Sequence, residues 1–258
     1  MTGLSTLPIG LVDNFLLEVS RGKVQGWSNV IVRGHNPNQS AVSGFVDIAE
    51  QGNLTYLTTA YTHNIVSTST DDTGLGDGLQ SLLLSGVSQD GSLQSEVIIL
   101  NGTTNVLTTK EYLRINFLIG LTAGSTGWNV GTITAKETNA ATVQCEIDPT
   151  ESISQGTHYT VPLNYNAYLC KVELNSHKVG GADPVIEFKG LFRSGGAGAA
   201  WIQGFDKIFD TAVQNELDVD VIVKTKMPEK TDLRLRSDTD QNSTETRIRM
   251  YLLLEKVA

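Results

Sequence analysis

The sequence predicts an all-β protein of antiparallel β-sandwich or jelly-roll modules with an extended N-terminal arm. Three observations predict it. Apolar residues alternate with period two along much of the chain. Turn-forming Gly and Asn clusters separate the alternating runs. Charged residues make up only 18% of the 258 residues. Thr, Ser, Asn and Gly take their place, and these suit pleats and tight turns.

The alternation is clearest in three places. Leu113, Ile115, Phe117 and Ile119 fall on one face, against Tyr112, Arg114 and Asn116. Leu217, Val219, Val221 and Val223 oppose Asp218, Asp220 and Lys224, and Ile248, Met250, Leu252 and Leu254 oppose Arg247, Arg249, Tyr251 and Glu255. Residues 185–192 and 233–236 are shorter examples. One stretch fits two periods: Phe205, Ile208, Phe209, Ala212, Val213 and Leu217 suit a short helix as well as a strand and turn.

Three parts follow along the chain. Residues 1–35 form the arm, 36–150 a β-sandwich module, and 151–258 a C-terminal jelly-roll-like module, with a polar boundary at 148–156. The arm mixes Arg21, Lys23 and Arg33 with glycines and isolated apolar residues. That is too little burial to offset ordering entropy, so the arm is expected to order on a neighbouring chain. Its removal should leave the remainder folded. Val24, Trp27, Val30 and Arg33 are the interface candidates, with Trp27 as anchor because Trp is enriched at contact centres.

Charge excludes some classes of partner. Nineteen Lys plus Arg against 28 Asp plus Glu give a net charge of −9. Nucleic-acid affinity comes largely from cations that neutralise phosphates, so no nucleic-acid partner is expected. Lys224, Lys226, Lys230, Arg234 and Arg236 are interleaved with Asp220, Glu229 and Asp232, which reads as a solvated strand face with cross-strand ion pairs. No basic and apolar leader opens the chain, and no window approaches the roughly 18 apolar residues of a span, so no membrane partner is expected. Cys145 and Cys170 sit in alternating runs as small buried side chains.

The chemical motifs fail in context. Asp72-Thr73-Gly74 matches an aspartic-protease triplet but is flanked by turn residues rather than an apolar strand. Asp238, Asp240 and Asn242 begin a calcium loop, yet Ser243 stands where Gly is required and Arg249 where the bidentate Glu belongs. His35, His63, His158 and His177 share no metal-ligand spacing. No Gly-x-Ser-x-Gly elbow nominates a nucleophile. The reading is therefore of no catalytic, cofactor-binding or metal residues, no cofactor and no enzyme.

A series of short phrases runs along the chain: Glu18-Val-Ser-Arg-Gly22, Gly26-Trp-Ser-Asn-Val30 and Ser43-Gly-Phe45, then Asn101-Gly-Thr-Thr104, Tyr112-Leu-Arg114, Leu121-Thr-Ala-Gly124 and Asn129-Val-Gly-Thr-Ile-Thr134. Tyr159-Thr-Val-Pro162, Ala167-Tyr-Leu169 and Met227-Pro-Glu-Lys-Thr-Asp-Leu233 follow. In this order they are similar to a family of virion structural proteins of tailed bacteriophages. Asp47 to Glu50 departs from the family's aromatic- and Gly-rich stretch. The resemblance implies a non-enzymatic β-sandwich subunit made in the host cytoplasm and carried on the virion. A capsid decoration or cement protein is the first expectation, with a neck, tail or fibre-attachment component as the alternative. A carbohydrate-binding or carbohydrate-active β protein, using Trp128, Tyr165 or Tyr168, is the rival from another class. The expected partners are the major capsid protein or other virion proteins, and further copies of the chain in a homo-oligomer, with a trimer favoured.

Overall fold

A computed structural model describes residues 12–180, 182–196, 198–214, 216–220 and 226–257. The chain is nearly all β, with antiparallel sheets. Helix α1 (Val12–Ser20) leads into β1 (Trp27–Gln39) and β2 (Val46–Asp47). A second block follows: β3 (His63–Ser67), β4 (Leu79–Val87), β5 (Leu93–Ile99), β6 (Val106–Leu107), β7 (Arg114–Ala123), β8 (Ile133–Glu137) and β9 (Val143–Ile147). The third block is β10 (Tyr159–Thr160), β11 (Tyr165–Lys178), β12 (Val185–Arg193), β13 (Ile202–Asp210), β14 (Glu216–Asp220), β15 (Lys226–Met227), β16 (Asp232–Thr239) and β17 (Thr244–Lys256).

The first and third blocks make one sandwich. Its sheets run β1-β17-β11-β14, with β15 also on β11, and β10-β16-β12-β13, with β2 also on β16. When β1, β2, β11, β12, β13, β14, β16 and β17 are taken as strands one to eight, these orders become 1-8-3-6 and 2-7-4-5. That is the strand order of a jelly roll. Val32, Val172, Leu174, Met250 and Leu252 of the first sheet face Ile186, Phe188, Leu233 and Leu235 of the second in one buried core.

The middle block is a second sandwich inserted between β2 and β10. Its sheets run β6-β3-β8-β9 and β5-β4-β7. Ile65, Ile133, Ala135, Cys145 and Ile147 share a separate core with Leu79, Leu82, Leu84, Ile98, Ile115 and Leu118. This divides the chain differently from the sequence reading. Residues 27–48 belong with 157–257, and the polar run 148–156 is the return connector of an insertion.

The arm is corrected on the same ground. Residues 12–20 are helical, and Trp27–Gln39 is a full strand paired antiparallel to β17, from Trp27↔Glu255 to Gln39↔Thr244. Val32 is fully buried in the jelly-roll core. The segment looked coreless because its core lies at the other end of the chain. Residues 1–11 lie outside the described residues.

The 205–217 stretch resolves as strand, turn and strand, not as a helix. A spacing of four satisfies a two-residue period as well as a 3.6-residue one. Phe209 is buried and stacks on Phe188 with ring centroids 5.4 Å apart, while Ile208 lies on the exposed side.

Gly34 positions the insertion. A Cβ built there would lie 2.1 Å from Thr157 Cγ2 and 2.4 Å from the Ile48 carbonyl oxygen. The outgoing and returning connectors therefore both cross β1 at the one residue that has no side chain. Ala49 and Gly156 bridge each other at this crossing, and His35 N–H donates to the Gln155 carbonyl at 3.2 Å.

His63 and His158 are both buried. Burial pushes the His63 imidazole down to about 4 from its ordinary 6.5, and burial also lowers that of His158. Between those values the unfolded chain binds more protons than the folded one, so stability falls as pH falls through the window and levels off below it. His63 alone is expected to contribute about 3 kcal/mol to that loss. Urea midpoints at pH 7 and pH 4.5 should differ more for the parent than for His63→Gln. Identical pH dependence in the two proteins would contradict the assignment.

Candidate assembly surface and domain junction

The four sequence-predicted interface residues lie on or beside β1, all half-buried. Trp27 is engaged within its own chain. Phe15 meets its ring edge-on at 5.5 Å, and Tyr168 stacks on it at 5.9 Å. Val30 packs against the jelly-roll core. Val24 lies just before β1, which is an edge strand. Arg33 borders a cleft of about 380 Å³ with Glu151, Glu173, Glu216, Arg247 and Arg249.

The residues that fix one sandwich on the other were not among the sequence candidates. Asp232, at the start of β16, lies between Arg193 of β12 and Arg114 of β7. Arg193 donates to Asp232 Oδ2 at 2.8 and 3.0 Å, and the Arg114 guanidinium at 3.3 Å. Thr160 Oγ1 donates to Asp232 Oδ1 at 2.7 Å, so the carboxylate is engaged on both oxygens. Asp47 of β2 pairs with Arg234 at 3.6 Å and Arg236 at 3.2 Å. Two carboxylates thus face four guanidinium groups.

Aromatic faces take up part of the excess positive charge. Arg114 and Arg193 lie over the Tyr56 ring at 4.7 and 4.5 Å, and Arg193 and Arg234 over the Trp201 ring at 4.5 and 4.2 Å. Tyr56 and Trp201 meet edge-on at 5.1 Å. Desolvation makes such cation–π contacts stronger than exposed ones. Burial holds the Arg114 guanidinium below its ordinary range and the Tyr56 hydroxyl well above its own. Arg234 and Asp232 are therefore not on a solvated face, as the sequence suggested, although their ion pairs do run across strands. Nothing in the spacing of Tyr56, Arg114, Arg193, Trp201 and Asp232 announces this. Only the insertion brings them together.

The outer surface carries a second feature. Among the described residues β5 pairs with no strand but β4, and Lys110 Nζ donates to the Ser95 carbonyl at 2.6 Å. On its outward face Leu93, Val97 and Ile99 are 52%, 56% and 60% exposed, while Ile98 points into the core. Val97 pairs with Leu83, and Leu83 with Ile119, so the apolar row continues across the sheet. β13 is the free edge of the jelly roll's second sheet and exposes Ile202 and Ile208.

The discarded motifs have structural duties. Asp72 is fully buried, and its carboxylate accepts the N–H groups of Leu79, Val130 and Gly131 at 2.8 to 2.9 Å and the Ser67 hydroxyl at 2.6 Å. It ties the loop between β3 and β4 to the loop before β8. In the 238–242 turn, Asp240 Oδ1 accepts from Val185 N, whereas Asn242 Oδ1 accepts from Ser40 and Ala41. Cys145 is buried, whereas Cys170 is only partly so.

No protein-family model matches the chain, and no curated protein matches it. Among solved structures, the chain is similar to the structure of the infectious bursal disease virus Gx strain, with a TM-score of 0.22 and 9% identity over 90% of this chain and 77% of that one. The infectious bursal disease virus VP2 subviral particle gives a TM-score of 0.17 at 9% identity, over 91% of this chain and 78% of that one. Likenesses at these scores carry no argument about role. Among the described residues, no helix is long and apolar enough to cross a membrane.

The junction makes a direct prediction. Asp232→Asn keeps the side-chain shape but leaves buried guanidinium groups without their counter-charge. Stability to urea should fall by about 3–5 kcal/mol. The loss should change little between low and high salt, because buried pairs are poorly screened. A loss below about 1 kcal/mol would place the pair with ordinary exposed bridges.

Proposed function

We propose that the chain is a non-enzymatic structural subunit of a tailed-phage particle, acting as a capsid decoration or cement protein between neighbouring capsid subunits. The observation that carries this reading is the apolar row of Leu93, Val97 and Ile99 on a strand edge that no described strand covers. Such an edge invites pairing with another chain unless something covers it. Support comes from the phrases similar to phage virion proteins and from the jelly roll, an architecture that recurs in capsid and lectin domains. A low-charge surface rich in Ser, Thr and Asn can also be covered at little desolvation cost.

Closed symmetry would hide the same edges, so a homo-oligomer, with a trimer favoured, is part of the proposal. Val24 and Arg33, beside the free edge of β1, remain candidates for that contact. A neck, tail or fibre-attachment role would use the same surface at another place on the particle. The carbohydrate reading has one observation in its favour, the 49% exposure of Trp128. Tyr165 and Tyr168 lie in the other sandwich, and Tyr168 is held by Trp27 and donates to Glu255 at 2.7 Å.

The test is loading onto particles stripped of the protein. Val97→Lys places a charge in the row without touching the core. It should leave the thermal midpoint unchanged and weaken particle binding by at least about tenfold, the loss expected when one Val of 1.5–3 kcal/mol is no longer buried. Unchanged loading would remove this surface from the account.

A further inference from the structure

We infer that the crossing of the two connectors over β1 is a binding site for a divalent transition-metal ion of the zinc class, held by His35, Glu50 and Glu151. One donor atom from each of these residues lies within 4.8 Å of the other two. The site joins β1 to the outgoing connector (Glu50) and the returning one (Glu151).

The imidazole is set up as a ligand. Its Nε2 contacts Glu245 Oε1 at 3.2 Å, and Glu245 also pairs with His177 and Arg247. A carboxylate on Nε2 is the arrangement that orients metal-binding histidines, and here it turns Nδ1 toward Glu50. Nδ1 is buried and has no hydrogen-bond partner among the described residues, on a side chain only 9% exposed. It faces Glu50 Oε1 at 3.5 Å, and the Glu50 side chain is fully buried. That separation is too long for a good hydrogen bond. Donor atoms 2.0–2.1 Å from a tetrahedral zinc lie about 3.3 Å from one another, so the separation suits two ligands of one ion.

The surroundings fit the same assignment. Glu50 is held by Gln155 Nε2 at 3.1 Å and by the Asp148 N–H at 3.2 Å, which fixes its direction. Asp148 and Glu146 lie close enough for their charges to oppose that of Glu50, so the pocket carries surplus negative charge. Glu151 is half-buried and lines the 380 Å³ cleft, which gives its carboxylate room to close on an ion. One nitrogen and two carboxylates favour zinc over calcium or magnesium, which take oxygen ligands. His35, Glu50 and Glu151 lie far apart in the sequence, so no ligand spacing could reveal them. The expectation of no metal rests on histidine spacing and on a calcium loop that fails at Ser243 and Arg249.

The experiment uses the full chain, stripped with a chelator and dialysed. Titration with zinc chloride should show one saturable site and a thermal midpoint that rises with zinc, while magnesium and calcium chlorides at the same concentrations raise neither. Glu151→Gln and His35→Gln should each weaken zinc binding by at least about tenfold, and His177→Ala should leave it unchanged. Absence of saturable binding, or binding that survives either ligand variant at full affinity, overturns the assignment. So does loss of binding in His177→Ala, which would move the ion to the Glu245–His177 pair.

Discussion

One geometric constraint governs the molecule: an inserted sandwich must leave and re-enter its host at a single point. Here that point is Gly34 on β1, where a side chain of any size would strike both Ile48 and Thr157. With that position empty, the connectors pair through Ala49 and Gly156, and the returning one accepts from the His35 N–H through Gln155. The insertion is then a short, doubly anchored projection. A short anchor lets the arginine–aromatic network around Asp232 form between the two units, because its members are delivered to one place. The network in turn holds Arg114 of the insertion against β12 and β16 of the jelly roll.

Magnitudes decide which surface can work as a contact. Exposed ion pairs such as Lys178–Asp183 contribute about 0–1 kcal/mol each. A Val, Leu or Ile fully buried by a partner contributes about 1.5–3 kcal/mol. Three such residues on β5 therefore outweigh the scattered surface charge. Their rigid edge also loses little entropy on binding, because the strand is already ordered against β4. The buried charges belong to the junction, where their value lies in fixing an orientation that the cores of the two sandwiches do not themselves specify.

Much of the fold was legible in the sequence, for a local reason. The alternation at 185–192 and 248–254 reports one-sided burial directly, and β12 and β17 appear there; at 113–119 the strand β7 appears, but Tyr112, Arg114 and Asn116 of its polar face are buried as well. What could not be read was long-range. β1 seemed coreless because its partner β17 begins at Thr244, and the 205–217 spacing fitted two periods at once. The functional side chains were less legible still. Trp27 was singled out for its type and neighbours, but its ring is held by Phe15 and Tyr168. The exposed row of Leu93, Val97 and Ile99 looks like any core strand until the sheet order makes it an edge. His35, Glu50 and Glu151 meet only because the connectors cross.

The central claim is that the inserted sandwich docks this protein on a particle through the β5 edge. Hydrogen exchange of the protein, free and bound to purified particles, tests it most directly, because the outward amides of an edge strand exchange unless a partner covers them. The account predicts strong new protection across Leu93–Ile99 on binding, with the jelly-roll core strands unchanged. Binding without added protection in that strand would contradict it.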